Sequence, residues 1–221
     1  ASPGLNYVIS IQGFISVIAR YYWAGIDKTE LSKIVTVRRI IKRSTVANQQ
    51  KQFEKRGGFE IEMLQRTQHV IGNSNWDHVH SMAINPELNY HFCNRVLRAN
   101  FYAAQKWNIK TVARHTIFIS QSIYPLKGVH KAIEALFLLK RDFPDIQLRV
   151  AGHNIIKKDT IIEKIKVSDY GIYIDRLIKR LGLHQNVTFT GVLAEDDIIS
   201  EYQKAHVFVS PSSIENESGS L

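Results

Sequence analysis

The sequence predicts an α/β protein built on parallel sheets, and three observations carry that expectation. Short apolar runs of strand length alternate with stretches of helical period from about His115 onward. The runs close on Gly152, on Gly191 and on Ser210-Pro211-Ser212, the residues that end strands and open turns. A less regular first half carries two further strand-like runs separated by polar, basic sequence.

The elements follow in order. Tyr7–Ile11 reads as a strand leading into Gln12-Gly13, and Val70-Ile71 as a shorter strand before Gly72. Between them the chain is polar, basic and helical or irregular. Residues 103–114 read as the connector between halves, which sets the expected division at 1–114 and 115–221. Thr116–Ser120 is then a buried strand, and after a Pro125/Gly128 turn Val129, Ile133, Leu136 and Phe137 recur at helical spacing until Pro144. Ile146–Ala151 is the next strand; Ile172, Leu177, Ile178 and Leu181 mark a helix stopped by Gly182; Val187–Thr190 is a third strand. A helix over Glu195–Ala205 precedes the last strand, at Val207. Two strands in about a hundred residues make a poor sheet on their own, so the first half is expected to lack preceding strands.

Composition narrows the function classes. At 221 residues with 44% apolar side chains the chain can bury a real core, and no run of it has the length of a membrane span. The start, Ala1-Ser2-Pro3-Gly4, lacks a signal-peptide pattern, and the single Cys93 excludes an intrachain disulfide; a reducing cytoplasmic setting is expected, in which the Asn186 and Asn216 sequons are accidental.

The net charge of +9 resides wholly in residues 1–114, because residues 115–221 balance. Its densest part is Arg38, Arg39, Lys42 and Arg43, which stack at i,i+4 if helical, beside an apolar side of Ile34, Val37 and Ile41. That pattern reads either as a solvated helix face or as a dock for an anionic membrane surface or an acidic partner. Nucleic acid is not expected, for want of a helix-turn-helix or RNP-like pattern.

A strand that breaks at Ser-Pro-Ser and presents Glu215 belongs at the carboxyl edge of a parallel sheet, where open α/β folds bind ligands. The order Tyr124-Pro125-Leu126-Lys127-Gly128, Val150-Ala151-Gly152, Val187 to Gly191, and Val207 to Glu215 resembles the donor-binding domain of retaining, nucleotide-sugar-dependent glycosyltransferases of family 4. In the first half, Ser10-Ile11-Gln12-Gly13, Gly72 to Asp77 and Leu97 to Tyr102 are similar to the later part of the acceptor-side domain of bacterial members. The resemblance implies the GT-B architecture of two Rossmann-like domains with parallel sheets, both incomplete in a chain expected to be part of a longer one, and a sugar transferred with retention from a UDP- or GDP-sugar to an envelope, capsule or exopolysaccharide acceptor, saccharide or lipid-linked. It implies no bound metal, in keeping with histidines scattered without a third ligand at zinc spacing.

Residue by residue, the resemblance assigns Lys127 and Gly128 to the donor diphosphate and Glu215 to the donor sugar as the catalytic carboxylate. Asn216, Ser218 and Gly219 fall in the amide-bearing segment behind it, and Gly152, Gly191 and Leu193 lie near the nucleotide base. Ser122 stands five residues before Lys127, where the family commonly has an arginine; Arg114 and His115 are the nearby cations that could replace it. Gln12 stands where many relatives have an acceptor-side histidine, so Gln12 and Gly13 are left to hydrogen-bond an acceptor, with no evident general base. The second family glutamate would fall beyond Leu221. Asp77, beside Trp76, reads as a helix cap. The alternative to an enzyme is a non-catalytic GT-B-like module that binds a nucleotide or an anionic membrane.

Overall fold

The computed structural model describes residues 7–36, 38, 40, 45–156 and 159–215. It forms two compact units, neither continuous in sequence: the first takes Ala1–Tyr22, Gln49–Leu97 and Ile214–Leu221, the second Trp23–Asn48 and Arg98–Ser213. These units are drawn along different lines from the 114/115 division. Residues 23–48 lie early in the sequence yet pack with the second unit.

The first unit holds a parallel three-stranded sheet in the order β1 (Ile9–Ser10), β2 (His69–Gly72), β3 (Asn89–Phe92). Strand β3 corrects the two-strand expectation. Its residues are mostly exposed, so Asn89-Tyr90-His91-Phe92 shows no apolar run to betray an edge strand. Helix α1 (Ile15–Ile18) follows β1, and the long α3 (Val46–Gln65) precedes β2. The core joins Ile11, Phe14, Leu64, Val70 and Leu88, with Trp76 and Tyr90 packed against it. Helix α4 (Asn75–Ile84) starts at Ser74, whose Oγ accepts from the Asp77 amide at 3.1 Å, while the buried Asp77 carboxylate accepts from the Asn73 amide at 3.3 Å. Asp77 is thus part of a helix start.

The second unit is a parallel four-stranded sheet. Its strands are β4 (Ala113–Ile119), β5 (Gln147–Ala151), β6 (Val187–Gly191) and β7 (Ala205–Phe208), ordered β6-β5-β4-β7. All begin or end within a few residues of the strands expected from sequence. Alternation along β5 sends Leu148 and Val150 to one face and Arg149 and Ala151 to the other. On the Ala151 face, Phe118, Ala151 and Ala205 form a cluster with Leu193, Ile198, Tyr202 and Phe208, under α9 (Glu195–Lys204). Helices α6 (Val129–Leu139) and α8 (Asp169–Arg180) pack on each other and bury Ile133, Leu136, Ile174 and Leu177. Each such side chain is worth about 1.5–3 kcal/mol when removed from water. Arg149 and Glu201 add a bidentate pair at 2.7 and 2.6 Å, which raises the Arg149 pKa and lowers that of Glu201 through the shared hydrogen bonds.

The early segment is fixed to this unit by polar contacts. Helix α2 (Lys28–Ser32) is capped by Asp27, which accepts from the Thr29 amide at 2.8 Å, and the Val46 amide donates to the buried Asp169 at 3.0 Å. His130, fully buried on α6, donates from Nε2 to the Ala24 carbonyl at 2.9 Å, which leaves Nδ1 to accept from the Tyr170 hydroxyl at 3.2 Å. Short helices α5 (Ala99–Ala103) and α7 (Ile161–Lys166) complete the second unit. In the connector, Trp107 donates to the Ala205 carbonyl at 2.9 Å.

Candidate functional site

The strand order defines where a ligand can bind. From β4 the chain steps to β5 and β6 on one side, then returns through α9 to place β7 on the other side of β4. The crevice at the carboxyl ends of β4 and β7 is therefore the topological switch point of this sheet.

Two loops close on each other there. Beyond β4, Pro125–Lys127 makes one 3-10 turn and Gly128 takes φ +70°, ahead of α6. Beyond β7, the Val209 amide extends the ladder to the Phe118 carbonyl at 2.9 Å, and the Ser213 amide donates to the Leu126 carbonyl at 2.9 Å. A Cβ at Gly128 would run into the Pro211 carbonyl. Glycine is required at 128 for conformation and close approach together. Lys127 is half-buried on this latched turn. The turn thus fixes a cation beside the opening amides of an eleven-residue helix, a setting that favours bound anions.

The neighbouring strand ends are tied together as well. Gly152, at φ +97°, donates its amide to the Gly191 carbonyl at 2.9 Å, and Gly191 itself has φ +82°. That amide is consequently engaged within the protein. Ser122 is fully buried and donates to the His153 carbonyl at 3.1 Å, so it braces the β4 and β5 ends. Leu193 turns its side chain into the core.

His115 is no stand-in for the missing arginine. It sits near the start of β4, at a bulge where its φ is +58°, and its Nδ1 pairs with Asp145 at 2.8 Å. Its amide donates to His206 Nδ1 at 3.3 Å. Arg114 shares that amino-terminal end of the strand. Both lie at the opposite edge from the crevice.

Among the other expected site residues, Glu215 is half-buried and groups with the first unit, whereas Lys127, Gly128, Ser122, Gly152, Gly191 and Leu193 group with the second. Asn216, Ser218 and Gly219 lie outside the described residues, as do Arg39, Lys42 and Arg43. Arg38 is described, and it is no freely solvated cation. It is half-buried, with Nη1 donating to the Lys166 carbonyl at 3.1 Å and Nε buried. Ile34, read as the apolar side of the same stretch, is in the core.

In the first unit, Gln12 is exposed and Gly13 takes φ +130° at the turn into α1. The α1 amides are already engaged by a carboxylate that sequence reading passed over. Glu60 on α3 accepts from the Ile15 amide at 3.0 Å, the Ser16 amide at 2.9 Å and the Ser16 hydroxyl at 2.7 Å. Gly57, one turn earlier, lets the two helices approach, since a Cβ there would come 2.6 Å from Ser16 Cα. No local signal marks Glu60, because its partners are more than forty residues away. Among the described residues, no group of three His, Cys, Asp or Glu side chains could hold a metal ion, and no helix is long and apolar enough to cross a membrane.

Switch point, latched glycine turn and two parallel sheets define an α/β protein of the GT-B glycosyltransferase type. More narrowly, the family model for glycosyl transferases group 1 matches residues 104–220, over half of the sequence, and the chain belongs to that family. Among solved structures, sucrose-phosphate synthase from Thermosynechococcus elongatus is 15% identical with a TM-score of 0.57, over 98% of this chain and 47% of that one. A mutant of S. aureus TarM, in complex with fondaparinux, alpha-GlcNAc-glycerol and UDP, is 15% identical with a TM-score of 0.56, over 75% of this chain and 29% of that one. A further TarM structure matches with a TM-score of 0.53, at 15% identity, over 74% and 28%. The chain therefore spans about half or less of the length of these neighbours, whose likeness is one of fold. A comparison with curated proteins finds no match.

Proposed function

We propose that this chain serves retaining glycosyl transfer from a nucleoside-diphosphate sugar, UDP- or GDP-linked, to a saccharide or lipid-linked acceptor of envelope, capsule or exopolysaccharide type. The observation that carries the reading is the switch-point turn, where Gly128 meets Pro211 and Ser213 bonds Leu126, so that Lys127 and the start of α6 are held at the crevice. TarM, a neighbour in fold, has been captured in complex with UDP, which supports a nucleotide as the ligand class.

In the reaction proposed, the bond between the anomeric carbon and the diphosphate oxygen breaks as the acceptor oxygen bonds to the same face of that carbon. The acceptor proton passes to the leaving phosphate, so the absence of a histidine at Gln12 removes no required base. Lys127 and backbone amides would stabilise the departing charge, and Glu215 would orient the sugar through its hydroxyls. Gln12 and Gly13 would contact the acceptor. No metal is assigned a step, the charge being met by the lysine and the amides.

Calorimetric titration with UDP, GDP and their sugar conjugates tests the reading. Saturable binding of one nucleotide, weakened at least roughly tenfold by Lys127→Ala and unaffected in fold, is expected; loss of one cation–phosphate contact is worth about 1.5–3 kcal/mol. Glu215→Gln should leave nucleotide affinity intact and lower turnover by about a hundredfold or more. A folded protein that binds no nucleotide would sink the proposal. A second reading, binding without chemistry, draws on Ser122, which is buried in a structural hydrogen bond where relatives place an arginine. Nucleotide binding without any sugar transfer would favour it.

A further inference from the structure

Where α2 packs on α8, the second unit holds a cavity of about 350 Å³ whose walls share no residue with the switch-point crevice. Of its lining residues Ile34, Tyr173 and Leu177 are buried, and Glu30, Lys33, Arg176 and Arg180 are exposed. The cavity is therefore apolar within and charged at its mouth. The sequence dictates this grouping on both walls. Lys33 ends α2, three residues after Glu30, and on α8 Tyr173, Arg176, Leu177 and Arg180 follow at i, i+3, i+4 and i+7, the spacing of one helix face.

The cations at the mouth are unmatched. Elsewhere on this unit exposed cations meet carboxylates: Arg98 with Glu195 at 3.0 Å, Lys131 with Glu134 at 2.9 Å, Lys179 with Asp175 at 3.0 Å. Among the described residues, the side chains of Lys33, Arg176 and Arg180 make no hydrogen bond and no ion pair, and Glu30 engages none of them. The Tyr173 hydroxyl is also without a hydrogen-bond partner among those residues, although its ring stacks on Tyr170 at 6.4 Å. Burial raises the Tyr173 pKa, with Glu134 and Glu30 adding to the effect and Arg180 opposing it, so the phenol remains a donor at neutral pH.

The charge balance selects an occupant. Three cations against the single carboxylate Glu30 leave the cavity doubly positive, which complements a phosphate monoester of about −1.5 to −2 near neutrality. Two guanidinium forks one helical turn apart, with an ammonium opposite, can serve the three free oxygens of such a group. The volume stands at the lower end of ligand sites, roughly 300–1,000 Å³, which suits a small molecule. We propose that this cavity binds a phosphorylated sugar or polyol, its phosphate held by Lys33, Arg176 and Arg180, its hydroxyls met by Tyr173 and Glu30, and its carbon frame laid on Ile34 and Leu177. The inference stands apart from the sugar-transfer reading, because none of these residues belongs to the crevice.

Calorimetric titration with glucose 6-phosphate, glycerol 3-phosphate, inorganic phosphate and glucose is the test. The two phosphomonoesters should bind saturably, the tighter of them roughly tenfold or more above inorganic phosphate, which offers nothing to the apolar wall, and glucose should not bind. Arg176→Gln and Arg180→Gln should each weaken that binding at least roughly tenfold, and Tyr173→Phe about fivefold. The two arginines are exposed and the Tyr173 hydroxyl supports no other group, so unchanged melting temperatures separate loss of the ligand from loss of fold. Lys127→Ala should leave the affinity as it is, whereas a phosphate held in the crevice would be lost with that lysine. The proposal is overturned if the folded protein binds neither phosphomonoester, binds glucose as tightly, keeps its affinity after both arginine substitutions, or loses it with Lys127→Ala.

Discussion

The two sheets of this molecule share parallel topology and differ in what holds them. In the four-stranded sheet the strands themselves supply the core: Phe118, Leu148, Val150 and Ala151 are buried, with α6 and α8 packed on each other and α9 over the Phe118 cluster. In the three-stranded sheet Val70 is the one side chain of the strand residues buried to that degree, Gly72 being buried without one, and the remaining core comes from the residues beside strands, Ile11 and Phe14, and from Leu64 and Leu88. Apolar burial is non-directional, so a sheet sandwiched on two faces tolerates local change. A thin sheet depends instead on particular polar ties and close approaches. The exception lies at the switch point, where the robust sheet is joined by one glycine.

That exception carries the largest expected effect. Gly128→Ala would place a methyl against the backbone carbonyl of Pro211 and hold a non-glycine residue at φ +70°, and neither conflict can be relieved by turning a side chain. A left-handed residue alone costs about 1–2 kcal/mol, and displacing the latched loop brings the expected loss to about 3 kcal/mol. Urea unfolding measures it. The matched position in the thin sheet is Gly72, where a Cβ would meet only the end of the Tyr90 side chain. Gly72→Ala should cost about 1 kcal/mol, the worth of the displaced Tyr90 hydroxyl bond to the Ser74 carbonyl. An equal loss at both sites would break the distinction between a backbone latch and a side-chain contact.

The next effect tests whether the first unit depends on a tie rather than on its sheet. Glu60 serves three donors at the start of α1, a helix with no acidic residue in its own first turn. Glu60→Gln keeps the shape and one acceptor oxygen but replaces the other by a donor that faces the same amides and hydroxyl. A loss of about 1–2 kcal/mol is expected, read as a lower urea midpoint with an unchanged slope. A neutral result would mean that apolar packing alone holds α1.

The contrast between the sheets also explains what was legible in the sequence. Strands β4 to β7 were readable because each is at least partly buried along its apolar run, and Gly152 and Gly191, at the ends of β5 and β6, take the positive φ that such turns need. Strand β3 was not, since only Tyr90 of its four residues is even half-buried. The placement of residues 23–48 on the second unit was hidden for another reason. It rests on His130 with Ala24 and on Asp169 with Val46, pairs more than a hundred residues apart that no local pattern records. For the site, residue types and spacing gave the switch-point turn, but not that Ser122 and the Gly152 amide would be consumed by structural bonds. Backbone partners of this kind leave no trace in a residue's type.

The smallest effect comes from His130, and it asks whether the early segment is held by a neutral imidazole. Burial is the leading cause that lowers its pKa below the ordinary 6.5, with Lys131 acting the same way and the Ala24 carbonyl and Glu134 opposing. Tyr170 and Tyr173 face the ring, and burial raises both phenols, so neither ionises near neutrality. As the pH falls through 6.5 the unfolded chain takes up this proton before the folded one does. The stability that neutral His130 contributes is therefore complete above that pH and declines as the pH falls towards the lowered folded value. Urea midpoints measured across this interval should drop on acidification, and His130→Gln should flatten that slope while lowering stability at every pH. A slope left unchanged by His130→Gln would place the acid sensitivity elsewhere and remove the imidazole as the link between the Ala24 turn and α6.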